Sequence, residues 1–275
     1  MMTVTELLSY AKKYIHSDYA KILLGELIDM NPLELYNHLN DEIEKTTVDK
    51  YKEEVLSIKE GKPIQYVIGS VNFFGNRFIV DERVLIPRFE TEELVETSIN
   101  YIDKYFNSPV DIIDLGCGSG IIGLTLEKKV STNSVDLVDI SLDVLEITEK
   151  NREKLGSKAK IIQSDMFSNI NKKYDVIISN PPYIREDEEI EDIVEKYEPH
   201  IALYGGKDGL YFYDKILKDI STHMKDRCLI CFEIGVDQAK KIEEIANKYL
   251  DNITVITKKD LSGRDRMLFI LKNLE

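Results

Sequence analysis

The chain has 275 residues, 43% hydrophobic and 31% charged, which suits a globular protein built from one large domain and a smaller one. Its formal net charge of −14 argues against a protein that lives on nucleic-acid phosphates, which carries a basic face, and permits a basic protein partner. No apolar run approaches the ~20 residues that span a bilayer. The opening MMTVTELLSYAKK carries no export pattern, and three cysteines fit a reducing cytoplasm.

Residues 1 to about 60 read as a small helical bundle: Leu7, Leu8, Tyr10, Ala11 and Ile15 recur at helical spacing, Asn31-Pro32 punctuates the pattern, and no strand run occurs. Residues 61–85 change character. Gly61, Pro63, Gly69 and Gly75 interrupt the β-rich pieces IQYVIG, VNFFG and NRFIVD, a hairpin-like connector. The domain expected over 86–275 opens with LIPRFETEELVETSINYI, a long amphipathic helix whose start is signalled by Thr91 ahead of an acidic first turn. From about residue 109 strands and helices alternate: VDIIDL, NSVDLVDI, AKIIQSD, YDVIISN, RCLICFEI, NITVITK and RMLFILK are the strands. That pattern predicts an α/β fold with a mostly parallel sheet covered on both faces. Cys228 and Cys231 share one strand three residues apart and therefore point to opposite faces, so they read as inert buried thiols rather than a metal pair. His16, His38, His200 and His223 show no ligand spacing, and no metal is expected.

The loop Asp114-Leu115-Gly116-Cys117-Gly118-Ser119-Gly120 ends the first strand of this alternation and opens a helix, where an open α/β sheet binds its ligand. Glycines let the backbone turn sharply and let a ligand approach without a Cβ in the way. Asp139, at the end of the next strand, is placed to accept ribose hydroxyls, and Asp165, after the third, to face an adenine amino group. A competing reading exists, because Gly118-x-Gly120-x-x-Gly123 with Asp139 downstream also matches a dinucleotide fingerprint. Two features favour S-adenosyl-L-methionine over a nicotinamide cofactor. Asp114 suits a cationic methionine amino group and would repel a pyrophosphate, and the fourth strand ends in chemistry that a dehydrogenase does not require.

That chemistry is Asn180-Pro181-Pro182-Tyr183. The fourth strand should lie beside the first, across the point where strand order reverses, with its C-terminal end facing the transferred methyl group. An amide nitrogen is a poor nucleophile carrying two N–H donors. The Asn180 side-chain oxygen and the Pro181 carbonyl can accept one each, fixing the nitrogen in line with the methyl group. The prolines stiffen the turn, and Tyr183 offers an aromatic face to a planar amide.

Together, QYVIGSVNFFG, VLIPRFETEELVE, DLGCGSGIIGL, ISNPPYI and LYGGKDGL resemble the HemK/PrmC family, the protein-(glutamine-N5) methyltransferases of class-1 peptide chain release factors, over nearly the whole chain. The resemblance implies a Rossmann-like methyltransferase sheet with an antiparallel last strand and a helical N-terminal substrate-docking domain. It implies methyl transfer from S-adenosyl-L-methionine to the glutamine of a Gly-Gly-Gln tripeptide, in the cytoplasm, without direct nucleic-acid or membrane contact. It further implies that Gly116, Cys117, Gly118, Ser119 and Gly120 hold the methionine part and Asp139 the ribose, that Met166 beside Asp165 flanks the adenine, and that Asn180 to Tyr183 hold the glutamine. Two positions depart from the family pattern. Phe89 stands where proline is common after Ile-Pro-Arg, and Met166 where a larger aromatic is common; a thioether also packs on adenine.

The stretch REDEEIEDIVEKYEPH over 185–200 is dense in carboxylates. Its bland reading is a solvated helix face, and its functional one is steering of a basic release-factor surface. The alternatives to the main reading are a ribosomal-protein glutamine methyltransferase, which shares the catalytic half, and an N6-adenine DNA methyltransferase, which shares Asn180–Tyr183 but needs a basic surface that is not visible.

Overall fold

A computed structural model describes Met1–Leu274. Contacts divide the chain into two units, one comprising 1–70 with 191–197 and the other 71–190 with 198–275.

In the first unit, α1 (Val4–Ala11), α2 (Ser17–Ile28), α3 (Lys45–Lys59) and the short α4 (Ile64–Ile68) enclose a core of Leu7, Leu24, Val48, Tyr51 and Val55. Thr3 and Glu6 form a reciprocal capping box at the start of α1, satisfying N–H groups that the helix itself cannot pair. The buried Tyr51 hydroxyl donates to the Ala20 carbonyl at 3.0 Å. Two-residue strands β1 (Met2–Thr3) and β2 (Glu42–Ile43) pair in this unit, too short to leave a sequence run. IQYVIG is not a strand: Ile64–Ile68 is helical and ends at Gly69 in the left-handed region. Five residues satisfy either period, and Val67 and Ile68 pack against the bundle core. VNFFG and NRFIVD do pair, as the hairpin β3 (Ser70–Phe73) and β4 (Asn76–Ile79).

The second unit continues with α5 (Phe89–Tyr105), β5 (Val110–Leu115), α6 (Ile121–Lys129), β6 (Thr132–Asp139), α7 (Leu142–Leu155), β7 (Lys160–Gln163) and β8 (Tyr174–Ser179). α8 (Asp192–Tyr197) returns to the first unit, where the Tyr197 hydroxyl donates to the Glu60 carbonyl at 3.2 Å. Then come α9 (Tyr211–Asp219), β9 (Met224–Glu233), α10 (Ala239–Tyr249), β10 (Ile253–Lys259) and β11 (Asp265–Lys272).

Among the described residues the second unit's main sheet has seven strands in the order β10-β11-β9-β8-β5-β6-β7, and β11 runs antiparallel to both neighbours. Alternate residues feed two cores. Ile112, Val176, Cys231 and Phe269 pack with α5, α6 and α7 side chains on one face. Ile113, Ile177, Cys228 and Ile270 pack with α9 and α10 on the other. Cys228 and Cys231 thus fall on opposite faces, and burial pushes the Cys231 thiol up to about 12.

Strand order reverses at β5, which pairs in parallel with β6 on one side and β8 on the other. Leu115 and Ser179 are register partners, and the Ser179 hydroxyl donates to the Leu115 carbonyl at 2.6 Å. The glycine loop and the Asn-Pro-Pro-Tyr turn therefore leave the sheet side by side.

Candidate active site

One cavity opens at these strand ends. Its wall includes Gly116, Cys117, Gly118 and Ser119 from the glycine loop, Asp139, Asp165 and Met166 from the next two strand ends, and Asn180 and Pro182 from the turn after β8. Leu85 and Pro87 before α5, Thr91 within it, and Phe212 from α9 also line it. Gly120, Pro181 and Tyr183 are not on the wall. Gly120 packs behind the loop against Thr148 and Leu124, and Pro181 is buried beneath the turn.

Gly116 and Gly118 have φ of +67° and +55°, the left-handed region, and a Cβ on either would meet nothing within 4 Å. A side chain there would be strained and would project into open space, so the loop presents bare backbone. Asp139 orders this backbone. Its Oδ2 accepts from Gly118 N at 3.1 Å and its Oδ1 from Ser141 N at 3.1 Å. Burial raises the Asp139 carboxyl above its ordinary range, opposed by those N–H groups. Each oxygen keeps a lone pair for a ligand hydroxyl. The donor set and the bare loop fit a nucleoside with a compact charged tail.

Asp114 lies elsewhere than at the methionine end. It is fully buried beneath the loop, where its Oδ2 accepts from Gly123 N at 2.9 Å near the start of α6 and its Oδ1 has no partner among the described residues. A carboxylate is favoured at a helix N-terminus, but burial still pushes this one up to about 7. Burial likewise pushes the Cys117 thiol well up, so it stays protonated.

Met166 holds φ of +49°, rare for a residue with a long side chain. The Ser164 hydroxyl donates to the Met166 carbonyl at 2.9 Å while accepting from Asn169 N at 2.9 Å, pinning the conformation. Backbone strain of this kind costs on the order of 1–3 kcal/mol and collects at ligand sites. Asp165 does not stand alone: Lys215 of α9 donates to its Oδ2 at 2.6 Å.

The Asn180 amide donates from Nδ2 to the Thr91 hydroxyl at 3.4 Å, and its Oδ1 has no partner among the described residues. Thr91 is not the helix cap that its sequence position suggests. α5 starts at Phe89 with Arg88 as its cap residue, and Thr91 lies in the first turn. Phe89 occupies the first helical position and is 60% exposed, so the departure from proline there leaves the helix start intact. The Thr91 hydroxyl donates to Glu233 Oε2 at 2.7 Å. Glu233, at the end of β9, is fully buried and also accepts from the Tyr183 hydroxyl at 3.3 Å. The Arg266 guanidinium stands 5.9 Å from the Tyr183 ring centroid. Burial pushes Glu233 up to about 7 against the pull of Thr91 and Arg266. The sequence carries one sign of this group, an acid closing the apolar run CLICFE, where a carboxylate is rarely buried without a partner.

The turn is braced from outside by the LYGGKDGL segment. Ile184 N donates to the Leu203 carbonyl at 3.0 Å and Gly205 N to the Ile184 carbonyl at 2.8 Å. Gln238 Nε2 donates to the Tyr183 carbonyl at 2.8 Å.

Comparison with known proteins agrees with this architecture. The Methyltransferase small domain family matches residues 96–198, and the PrmC N-terminal domain family matches residues 6–69. The chain is 36% identical to the release factor glutamine methyltransferase of Bacillus subtilis (strain 168), with 98% of each chain covered. It is 37% identical to the protein of that name from Clostridium botulinum, covering 90% of this chain and 89% of that one. Among solved structures, a methyltransferase from Pyrococcus furiosus superposes with a TM-score of 0.56 at 17% identity, covering 81% of this chain and 98% of that chain, which is a likeness of fold. The Rossmann-like sheet, the glycine loop beside the Asn-Pro-Pro-Tyr turn, and these end-to-end relatives lead to one conclusion: the chain belongs to the release factor glutamine methyltransferase family.

Proposed function

We propose that the protein transfers a methyl group from S-adenosyl-L-methionine to the side-chain amide nitrogen (N5) of the glutamine in the Gly-Gly-Gln motif of class-1 peptide chain release factors. The observation that carries this reading is the placement of Asn180. It leaves β8 next to the glycine loop, with its Nδ2 engaged by Thr91 and its Oδ1 free to accept. When bound, S-adenosyl-L-methionine supplies an electrophilic methyl group on a sulfonium. Gly116–Ser119 would hold its methionine portion, Asp139 its ribose, and Asp165 with Met166 its adenine.

Asn180 Oδ1 accepts one N–H of the glutamine amide, aligning the nitrogen lone pair and favouring electron build-up on it; the Pro181 carbonyl, expected as the second acceptor, belongs to a residue that lies off the cavity wall. Tyr183, tied to Glu233, holds the end of the turn. No strong general base is required, because the nitrogen becomes acidic only as the methyl group arrives, and its proton then leaves to solvent. The helical unit docks the release factor, and its match to the PrmC N-terminal domain supports that role. No helix among the described residues is long and apolar enough to cross a membrane, which is compatible with cytoplasmic work on a translation factor.

Co-incubation of the full chain with a class-1 release factor and S-adenosyl-L-methionine, followed by peptide mass spectrometry, tests this. The expected product carries one added methyl group on the Gly-Gly-Gln glutamine. An unmodified factor, or methylation of DNA or a ribosomal protein in preference to it, would overturn the proposal.

A further inference from the structure

An asparagine that must accept from its substrate has to present Oδ1 and not Nδ2, yet the two ends of the amide have nearly the same shape. Something in the protein has to set which end faces the cavity. Three linked groups do so here. Glu233 Oε2 accepts from the Thr91 hydroxyl at 2.7 Å, and Thr91 Oγ1 in turn accepts from Asn180 Nδ2 at 3.4 Å. A carboxylate is acceptor-only, so it draws the one Thr91 hydroxyl hydrogen toward itself. Only lone pairs then face Asn180, and only Nδ2 can satisfy them.

We infer that Glu233, acting through the Thr91 hydroxyl, is a positioning residue that fixes Asn180 with its oxygen toward the substrate amide. This rests on the proposed methyl transfer and adds to it a source of polarity 142 residues away from Thr91 in the chain. The second Glu233 oxygen accepts from Tyr183, so one buried carboxylate aligns both ends of the turn. The groups facing it are the Thr91 hydroxyl from α5, the Tyr183 hydroxyl from the turn and Arg266 from β11, with Glu90 of α5 as a like charge. The Tyr213 hydroxyl of α9 donates to the Glu233 backbone carbonyl at 2.7 Å.

The arrangement has a pH signature. A protonated Glu233 becomes a donor toward Thr91 or Tyr183. When it donates to Thr91, the hydroxyl hydrogen is released toward Asn180 and the opposite amide orientation gains a partner. Turnover of the wild-type enzyme should therefore fall as pH drops through about 7, where burial places this carboxyl.

The test compares Thr91→Val, Thr91→Ser, Glu233→Gln and the Thr91→Val/Glu233→Gln pair in methyl transfer to a release factor. Calorimetric titration of S-adenosyl-L-homocysteine runs in parallel. Thr91→Val, close in shape and lacking the hydroxyl, should lower kcat by roughly tenfold to a hundredfold, since orienting hydrogen bonds at reacting groups are worth about this much. Cofactor affinity should hold, and the acid limb of the pH profile should vanish. Thr91→Ser should restore both rate and pH profile. The double variant should be no slower than Thr91→Val alone, because both changes interrupt one relay. Should Glu233→Gln fail to fold, the valine and serine variants still decide. A Thr91→Val enzyme with wild-type kcat, or one slowed but with its acid limb intact, overturns the relay while leaving the methyl transfer standing. Absence of transfer by the wild-type enzyme overturns both.

Discussion

Asp139→Ala separates ligand binding from folding. In the protein as it stands, Asp139 accepts from Gly118 N and Ser141 N at 3.1 Å each, and so sets the backbone that faces the cavity. Hydrogen bonds to a charged acceptor contribute about 1.5–3 kcal/mol each. Those to ribose hydroxyls would be lost outright, and the glycine loop would loosen. A net loss of about 3–4 kcal/mol corresponds to a drop of two to three orders of magnitude in affinity for S-adenosyl-L-methionine. The ligand-free protein should respond differently. Burial holds the Asp139 carboxyl above its ordinary range, so at neutral pH its charge opposes folding. Removing that charge offsets much of the lost loop bonding, and the ligand-free Tm should move by only a few degrees at most. Asp139→Asn keeps the shape but has one acceptor oxygen for two N–H groups, and should lose affinity as well, by roughly tenfold. Calorimetric titration with S-adenosyl-L-homocysteine and a thermal melt measure the two quantities. Wild-type affinity in Asp139→Ala refutes the ribose role. A large fall in ligand-free Tm would mean that the residue serves folding first.

Asn180→Ala should abolish most turnover, about a hundredfold or more, with S-adenosyl-L-homocysteine affinity mostly kept; surviving turnover in the methyl-transfer assay would remove Asn180 from the chemistry. A Cβ on Gly205 would stand 2.4 Å from the Pro182 carbonyl oxygen. Gly205→Ala should therefore shift the turn and lower both kcat and stability, the latter by about 1–3 kcal/mol, as read by kinetics and urea unfolding. Asp114, pushed up to about 7, keeps a proton in the folded chain that the unfolded chain releases near pH 4. The unfolded state binds fewer protons in that window, so this group makes stability fall as pH rises from about 4 to about 7. Asp114→Asn should flatten that slope in urea titrations across the range, and an unchanged slope would disprove the assignment. Charge reversal of Glu188, Glu189 and Glu191 should slow association with a release factor at low salt and less so at high salt; stopped-flow rates that do not change at low salt would reduce the stretch to a solvated surface.

The strand and helix alternation of the large unit was legible because each buried strand is a short apolar run and each helix repeats at its own period. The Asn180–Tyr183 turn and the Gly116–Gly120 loop were legible as motifs, since rigid turns and bare backbone need particular residue types. Local pattern failed where a segment was too short or where its purpose lay elsewhere. IQYVIG fits a strand or a helix, and the helix goes with packing of Val67 and Ile68 against the bundle core. Thr91 looked like a cap because threonine before an acidic turn usually is one, yet its hydroxyl is committed to Glu233. Asp114 looked like a ligand partner because it precedes the glycines, yet strand alternation turns it under the loop.

The order of elements, the glycine loop and the Asn-Pro-Pro-Tyr turn can be read along the chain, because each depends on residues close together in it. That Lys215 meets Asp165, that Gly205 packs closely on the Pro182 carbonyl, and that Glu233 reaches Asn180 through Thr91 follows from folding in three dimensions. Those contacts are set by parallel strand order and by burial. A carboxylate taken out of water must be paired with whatever polar group the packing delivers, however distant in the sequence.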